Sequence, residues 1–245
     1  ALKHELDCMV AFGFNSNIKG IIASKLCHIP VVICERMAPD ALTNKLLKLE
    51  RALVYPKADG YIFQTKEIRN FFSKKIQKKS FIIPNPVREE TKDCVATRDR
   101  KKIIATVTRL DEKQKNLLHL IRSFKEFHVV NPDYRLLIIG DGPDNELIQK
   151  EIRNCNLNEV VELAGRVERP LDYIADTDIF TLVSYHEGMP NALIEAMSIG
   201  LPCVVEHFSG GAAEELIVDG VNGILLHSHS QKQLVEALSM LVKNV

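Results

Sequence analysis

The chain has 245 residues, 46% of which are hydrophobic, and its 32 basic side chains balance its 32 acidic ones. This length and composition allow one large domain or two of ordinary size. The balanced charge argues against nucleic acid as a partner, because nucleic-acid-binding proteins usually carry a basic excess. None of the six cysteines forms a C-x-x-C pair, and no apolar run reaches the roughly 18 residues of a membrane span, so we expect a cytoplasmic protein.

Short apolar runs alternate with amphipathic stretches through the first third of the chain. They predict four strands, near residues 6–12, 31–34, 60–64 and 81–83, with helical segments between them. This alternation is typical of a parallel sheet that helices cover on both faces. The segment lacks the glycine-rich first turn with which such sheets often bind phosphate, so we expect an incomplete N-terminal domain.

The alternation breaks at Pro84, Asn85 and Pro86, which a polar stretch follows. Proline-rich and polar residues of this kind predict a linker, which we place at 87–100. The prediction is therefore a partial N-terminal domain at 1–86 and a C-terminal domain at 101–245. The chain also ends inside an amphipathic helix without a capping signal, so a segment is expected to be missing there as well.

The alternation of strands and helices then resumes for six further strands. These are predicted near 103–107, 136–139, 160–163, 179–183, 203–205 and 223–226, with helices beginning near residues 116, 145, 171, 191, 212 and 231. Two Rossmann-like parallel sheets joined by a hinge are the predicted α/β architecture.

The loop and helix after the fourth of these strands carry the most informative pattern. In a parallel sheet, a helix that starts at the carboxyl end of a strand offers unpaired N–H groups and a positive dipole end to an anion. Pro190 is tolerated in the first turn and Asn191 is the predicted N-cap. The amides of Ala192 and Leu193 would then serve as donors to a phosphate.

Two carboxylates, Glu187 and Glu195, flank this anion pocket with seven residues between them. Placing carboxylates beside an anion is costly unless each of them meets hydroxyl groups. A ligand that is both phosphorylated and rich in hydroxyl groups, such as a nucleotide sugar, satisfies both demands.

The first turn after the linker carries two cations, Arg109 at the strand end and Lys115 before the helix. Together they could neutralise a diphosphate, although a charged surface loop explains the same residues. Glycines end further strands on this edge, at Gly140 and Gly142, at Gly165 and at 210–211. They would let a ligand approach the backbone, and ordinary turn formation is the alternative.

These motifs, in their order and spacing, resemble the nucleotide-sugar domain of the family 4 glycosyltransferases, retaining enzymes of the GT-B fold. The matching stretches are 81–87, the Arg-Leu-x4-Lys turn at Arg109, 140–143, and the Glu-x7-Glu segment that continues to Pro202. The front part, at 29–36 and 57–60, resembles the latter part of that family's acceptor domain. Members that build bacterial surface polysaccharides are the most similar.

The resemblance implies a role for each of these residues. Arg109 and Lys115 would bind the donor diphosphate, and Glu195 would hold the ribose hydroxyl groups. Glu187 would contact the transferred sugar and stabilise its oxocarbenium-like charge. The remaining donor contacts would come from the base-lining residues Gly165, Arg166 and Val167 and from the backbone at Gly188, Met189, Pro190, Asn191, Ala192 and Leu193.

The implied function is transfer of a sugar, with retention and without a metal or other cofactor, from a nucleotide diphosphate sugar to a saccharide or lipid-linked saccharide. One alternative is a truncated, non-catalytic module that binds a nucleotide sugar. Another is a different GT-B enzyme, such as a sugar-nucleotide epimerase. Glu35 and Arg36 stand where many members carry a histidine, which leaves the contacts on the acceptor side open.

A basic patch in the front part consists of Lys74, Lys75, Lys78 and Lys79. Because basic clusters are attracted to anionic lipids, it predicts peripheral contact with the inner face of the cell membrane, and a solvated helix face is the alternative. The histidines at 186, 227 and 229 are interpreted as an orienting residue and two residues of an exposed loop, respectively.

Overall fold

A computed structural model of the chain describes residues 6–87 and 100–243. These residues form two parallel sheets, one of four strands and one of six. By compactness the chain divides into two units. The first holds the residues up to Asn85 together with 186–189 and 209–212, and the second holds the rest.

The first unit contains the four-stranded sheet, in which each strand pairs in parallel with the next one in chain order. Its strands are β1 (Met9–Phe12), β2 (Val31–Glu35), β3 (Gly60–Phe63) and β4 (Ser80–Ile82), and its helices are α1 (Phe14–Cys27), α2 (Lys45–Val54), α3 (Lys66–Phe71) and α4 (Lys74–Gln77). All four predicted strands are present, which confirms this part of the prediction.

Side-chain caps and an aromatic core explain why these elements form. The Asn44 side chain accepts a hydrogen bond from the Leu46 N–H (2.9 Å) at the start of α2, and Thr65 does the same for α3. Inside the unit, the rings of Phe63 and Phe72 stack with centroids 5.0 Å apart. Such pairs contribute roughly 0.5–1.5 kcal/mol beyond the burial of their area.

The second unit contains the six-stranded sheet, whose spatial order is β10-β9-β8-β5-β6-β7 with every pair parallel. Its strands are β5 (Lys101–Val107), β6 (Arg135–Ile139), β7 (Val161–Gly165), β8 (Thr177–Leu182), β9 (Cys203–Glu206) and β10 (Ile224–Leu226). Its helices are α5 (Glu112–Lys115), α6 (Leu117–Val130), α7 (Asn145–Asn154), α8 (Pro170–Ile174), α9 (Asn191–Ser198), α10 (Ala212–Leu216) and α11 (Gln231–Leu241). The carboxyl ends of all six strands therefore meet at one edge.

Burial explains the order of the strands in this sheet. Every residue of β8, near the centre, is buried, including the polar residues Thr177, Asp178 and Thr181. Helix α6 buries Leu117, Leu120, Ile121 and Phe124 at helical spacing against the sheet. Full burial of each such side chain stabilises the fold by roughly 1.5–3 kcal/mol.

Two of the glycines at the strand ends are required by the packing of neighbouring turns. Gly140 has a φ of 141°, and a Cβ there would overlap the Thr108 carbonyl. A Cβ on Gly142 would overlap the Leu110 carbonyl in the same way. These two glycines therefore let the turn after β6 pack on the turn after β5. At Gly165, with a φ of 68°, nothing lies within 4 Å of the position of a Cβ, so the space there is open.

Candidate functional site

The turn that carries Arg109 and Lys115 follows β5 and is fixed by its backbone. Leu110 is fully buried, its N–H donates to the Asp141 carbonyl (3.1 Å), and its own carbonyl accepts from the Asp144 N–H (3.0 Å). Helix α5 ends at Lys115, after which Asn116 adopts the left-handed conformation with a φ of 54°. The Arg109 side chain is exposed and Lys115 is half-buried at the carboxyl edge of the sheet.

The loop after β8 lies beside this turn because β5 and β8 are neighbouring strands, with Ala105 paired to Phe180. A hydrogen bond joins the two segments directly, since the Tyr185 N–H donates to the Gln114 carbonyl (2.8 Å). The residue next to Lys115 thus holds the start of the loop that leads to the Glu-x7-Glu segment. Within the second unit, the turn of Arg109 and Lys115 therefore contacts the first residues of the loop after β8.

The N-cap of helix α9 lies one residue earlier than predicted. Pro190 occupies the N-cap position in an extended conformation, with φ −75° and ψ 111°, and Asn191 is already helical. The prediction of Asn191 as N-cap is therefore wrong, and no side chain caps the helix. The first intrahelical bond runs from the Ile194 N–H to the Pro190 carbonyl (3.2 Å), so the amides of Ala192 and Leu193 belong to the turn that a helix leaves available for an anion.

Glu195 lies one turn into α9, and only 9% of its surface is exposed. A carboxylate with this burial is stabilised only where donors surround it.

On the far side of β6, the residues Gly165, Arg166 and Val167 form the turn after β7, and the Gly165 carbonyl accepts from the Gly140 N–H (2.8 Å). These donor-binding candidates therefore line the same edge of the six-stranded sheet as Arg109 and Lys115.

Glu187, Gly188 and Met189 group with the first unit. Glu187 is 8% exposed, and its backbone N–H donates to the Ser209 carbonyl (3.3 Å). Gly188 lies against the backbone of Arg36, where any Cβ would overlap the Arg36 carbonyl. The segment that contains Glu187 therefore packs directly against the Arg36 backbone, and only glycine fits at position 188.

Asn85 forms the main polar support for this segment. Its side-chain amide donates to the Met189 carbonyl (3.0 Å), and its side-chain oxygen accepts from Gln64 (2.5 Å) and Arg36 (3.3 Å). His186 contacts the Ser209 hydroxyl through Nδ1 at 2.8 Å. The asparagine of the Pro-Asn-Pro motif thus supports the stretch that contains Glu187.

Glu35 is buried at the end of β2. The Tyr55 hydroxyl donates to its Oε2 (2.7 Å), and burial is the main reason that the pKa of Glu35 is raised. This carboxyl group therefore belongs to the interior of the first unit.

A cluster at the end of β9 was not predicted. The Glu206 carboxylate is fully buried and lies between the imidazoles of His119 and His229. The one signal in the sequence is an acidic residue that directly follows the apolar run 203–205, but its partners lie on two other elements. The interpretation of His229 as part of an exposed loop is incomplete, because its ring is held by this carboxylate.

The described part of the chain contains no group of three histidine, cysteine, aspartate or glutamate side chains that could hold a metal ion. Among the helices at 6–87 and 100–243, none has both the length and the apolar character needed to cross a membrane.

A family model described as "Glycosyl transferases group 1" matches residues 87–245. The chain is 30% identical, over 227 residues, to an N-acetylgalactosaminyltransferase of Campylobacter jejuni that acts on a diphospho-undecaprenol-linked saccharide. It is 25% identical, over 213 residues, to an amylovoran biosynthesis glycosyltransferase of Erwinia amylovora. These matches cover 89% and 83% of the chain, which spans 59% of the length of each relative.

Solved structures show the same fold. The chain superposes on Anabaena HepE, solved in complex with UDP and glucose, with a TM-score of 0.85 at 19% identity. This superposition covers 99% of the chain and 70% of HepE. The likeness confirms the predicted GT-B class, with two Rossmann-like parallel sheets.

Proposed function

Since this chain belongs to the group 1 glycosyl transferases, as its motifs indicated, we propose that it transfers a hexose-type sugar from a nucleotide diphosphate sugar to a hydroxyl group of a saccharide or lipid-linked saccharide. The reaction would proceed with retention, in the synthesis of a bacterial polysaccharide or glycoconjugate. This matches the relatives that act on a diphospho-undecaprenol saccharide and in amylovoran biosynthesis.

The observation that carries the proposal is the hydrogen bond from Tyr185 to Gln114, which joins the turn of Lys115 to the segment leading into α9. It brings two sources of positive potential to one edge of the sheet, the side chains of Arg109 and Lys115 and the N-terminus of α9. A leaving diphosphate needs such donors and cations, because negative charge develops on it as the glycosidic bond breaks. HepE, which shares the fold, binds UDP.

The same positive groups would make a metal ion unnecessary. Two cations and a helix N-terminus supply the charge that a divalent ion gives to diphosphates in other enzymes. We therefore propose that no metal or other cofactor is required, and that transfer proceeds unchanged in excess EDTA.

Within this proposal each acidic residue has its own part. Glu195, on the inner face of α9, would accept hydrogen bonds from the ribose hydroxyl groups. Glu187 would face the transferred sugar and stabilise the positive charge that develops at its anomeric carbon. Gly165, Arg166 and Val167 would line the base.

A panel of nucleotide sugars tests the proposal and separates it from the alternatives. UDP, GDP, ADP and CMP sugars are added in a thermal-shift experiment, in which a ligand selective for the native state raises the melting temperature. The stabilising donor is then incubated with acceptors, and the products are analysed. Binding without turnover would favour the non-catalytic module, and a product that remains a free nucleotide sugar would favour an epimerase.

Replacing Glu195 with alanine is expected to weaken binding of the nucleotide diphosphate by about tenfold to a hundredfold, because two charge-assisted hydrogen bonds to the ribose are lost. The same variant should bind the 2′,3′-dideoxy nucleotide as well as the wild type does, since that ligand lacks both hydroxyl groups. Calorimetric titration measures both affinities. Equal loss for the two ligands would remove the ribose role from Glu195.

For the proposed membrane contact, the structure adds an apolar component to the basic patch. Lys74, Lys75, Lys78 and Lys79 are all exposed on or beside α4. Helix α2 exposes three leucines, Leu46, Leu49 and Leu53, at 75%, 56% and 62%. Other residues of α2 and α4, among them Arg51 and Ile76, line one cavity of about 500 Å³ in the first unit, and we propose that the basic and apolar groups of the two helices face the bilayer together. Such a combination is typical of proteins that lie on an anionic bilayer.

Replacing the four lysines with alanine is expected to reduce sedimentation with phosphatidylglycerol vesicles strongly, because each cation near an anionic surface contributes about 1 kcal/mol. Vesicles of phosphatidylcholine alone serve as the uncharged control. A variant with alanine at Lys113, Lys125, Lys150 and Lys232, all exposed in the second unit, tests whether total charge explains the effect. Unchanged sedimentation of the first variant would contradict the contact.

A further inference from the structure

A cavity of about 500 Å³ lies on the first unit, between α2 and the segment that runs from the end of α3 into α4. Its volume is in the range of sites that take small molecules. None of the candidate donor-binding residues lines it, so the nucleotide site does not account for this cavity. Most of its wall is apolar, and the residues of that wall are Pro39, Ala52, Pro56, Phe71, Phe72 and Ile76.

Arg51, on α2, places a cation in this apolar wall. Only 7% of the residue is exposed, its Nη1 donates to the Pro39 carbonyl (3.1 Å), and its Cζ lies 4.9 Å from the centroid of the Phe71 ring. Lys48, one turn earlier on the same helix, also lines the cavity. Because a cation in an apolar environment is stabilised by opposite charge, the wall favours a ligand that brings a negative group.

Two acidic side chains lie near these cations. Asp40 lines the cavity, and its Oδ2 lies 4.0 Å from His186 Nδ1. Glu35 does not line it. Burial raises the pKa of Glu35, while the Tyr55 hydroxyl, which donates to its Oε2 (2.7 Å), and the charge of Arg51 lower it. Among the described residues that line the cavity, two basic side chains therefore stand against one acidic side chain.

Helix α2 connects the cavity to the exposed leucines. Residues three or four positions apart are neighbours on a helix surface. Leu49, which is 56% exposed, therefore adjoins both Ala52 of the cavity wall and Leu53, which is 62% exposed. Apolar side chains thus continue from the outer surface of α2 to the cavity, and a hydrocarbon chain in contact with these leucines lies next to it.

We propose that this cavity binds one acyl chain of an anionic phospholipid and that Lys48 and Arg51 pair with the phosphate of its headgroup. The apolar wall suits the chain, and the basic lining residues suit the charge. The inference rests on the proposed function, because the membrane contact of α2 and α4 brings such lipids to the cavity. It adds a site for one lipid molecule to the general attraction between a basic patch and an anionic bilayer.

Single-chain alkyl phosphates test this site in solution. Octyl, decyl and dodecyl phosphate are titrated calorimetrically into the wild-type protein below their micellar concentrations. Each methylene group that the cavity buries should raise the affinity about fourfold, because its transfer out of water is favourable by a nearly constant amount. Octanol, which has no phosphate, should bind at least about tenfold more weakly than octyl phosphate.

Two variants test the wall and the charge. Ala52→Phe fills part of the cavity and should lower the affinity for dodecyl phosphate at least about tenfold. Lys48→Met keeps the apolar stem of an exposed residue and should weaken octyl phosphate about fivefold to tenfold without changing octanol. Asn70→Phe, at an exposed residue of α3 outside the cavity lining, is the matched control and should bind as the wild type does. Thermal melting establishes that each variant is folded.

Two further ligands identify the source of the chain. Lysophosphatidylglycerol is a phospholipid with one acyl chain, and it should bind the wild type and lose affinity in Ala52→Phe, as dodecyl phosphate does. Farnesyl phosphate has a main chain of the same length as dodecyl phosphate but is branched and stiffer. It should bind more weakly, because a flexible chain adapts more easily to the space between the rings of the wall.

Wild-type affinity of a folded Ala52→Phe protein for dodecyl phosphate overturns the proposal, and so does an affinity that is the same for the three alkyl phosphates. If Ala52→Phe does not fold, the chain-length series and Lys48→Met decide. Equal or tighter binding of farnesyl phosphate overturns the assignment to a phospholipid.

The proposed function fails in different measurements. Absence of any response to the nucleotide sugars would contradict sugar transfer, and unchanged sedimentation of the four-lysine variant would contradict the membrane contact. Neither measurement uses the cavity, whereas the alkyl phosphate series in solution bears on the lipid site alone.

Discussion

Replacing Glu187 with glutamine is expected to abolish measurable sugar transfer while leaving the affinity for the nucleotide diphosphate close to that of the wild type. The substitution keeps the size of the side chain and removes its charge. Loss of one preorganised electrostatic contact to a transition state typically lowers kcat by about a hundredfold to a thousandfold. Binding of the nucleotide should survive, because its proposed contacts come from Arg109, Lys115 and Glu195.

The environment of Glu187 allows the effect of its charge to be separated from an effect on the backbone. The residue is 8% exposed, and the Glu187 backbone N–H, which glutamine retains, donates to the Ser209 carbonyl. Gly188 on one side is fixed by close contact with Arg36, so the backbone has little freedom to move when the charge is removed. A change in rate would therefore report on the charge more than on the shape of the segment.

Glu236→Gln is the matched control, because Glu236 is an exposed glutamate on α11 whose substitution should leave both kcat and affinity unchanged. The measurement is single-turnover transfer with the stabilising donor, together with calorimetric titration of the nucleotide. Transfer by Glu187→Gln at a rate within about tenfold of the wild type would contradict a transition-state role. Loss of nucleotide binding would move Glu187 to the donor-binding group.

Much of the fold could be predicted because local patterns decide it. The central strand β8 was predicted at 179–183 and is found at Thr177–Leu182, since a mainly apolar run of only five residues is typical of a buried strand and too short for most helices. At β5 the strand begins two residues before the apolar run, at Lys101. Its first side chains reach solvent there and pair with Asp176 and Asp133 at 3.2 and 2.7 Å, which a search for apolar residues does not detect.

The candidate site was predictable where its residues follow one another along the chain. Arg109, Lys115 and Glu195 were assigned from turns whose position at a strand end is a local property. The N-cap of α9 was assigned wrongly because Asn191 is the better capping residue in isolation. In the folded chain Met189 is held by Asn85, and Pro190 enters the helix already extended.

The cluster around Glu206 could not be predicted from the sequence, because its members are far apart along the chain. His119 and His229 are separated from Glu206 by 87 and 23 positions, and no spacing rule links them. The fold brings the three side chains together, because β9 lies beside β10, which precedes the loop of His229, and because His119 on α6 reaches the end of β9. A lone glutamate after an apolar strand signals that a partner must exist, but its identity requires the fold.

Replacing Lys115 with alanine is expected to lower the affinity for the nucleoside diphosphate by about tenfold to a hundredfold and to leave the affinity for the nucleoside unchanged. A hydrogen bond from a cation to phosphate is worth about 1.5–3 kcal/mol, and the nucleoside has no phosphate with which to form it. The half-burial of Lys115 limits screening by solvent, so the loss should exceed that caused by an exposed lysine.

The chain supplies its own control for this experiment. Lys113 lies two residues earlier on the same short helix and is exposed, so Lys113→Ala removes the same charge without the proposed contact. Both variants are titrated with diphosphate and nucleoside at two salt concentrations, because a nonspecific field effect falls as ionic strength rises. Equal losses in the two variants would show that only the general charge of the turn matters. A loss of affinity in both Lys115→Ala and Arg109→Ala, but not in Lys113→Ala, would place the diphosphate at the end of β5.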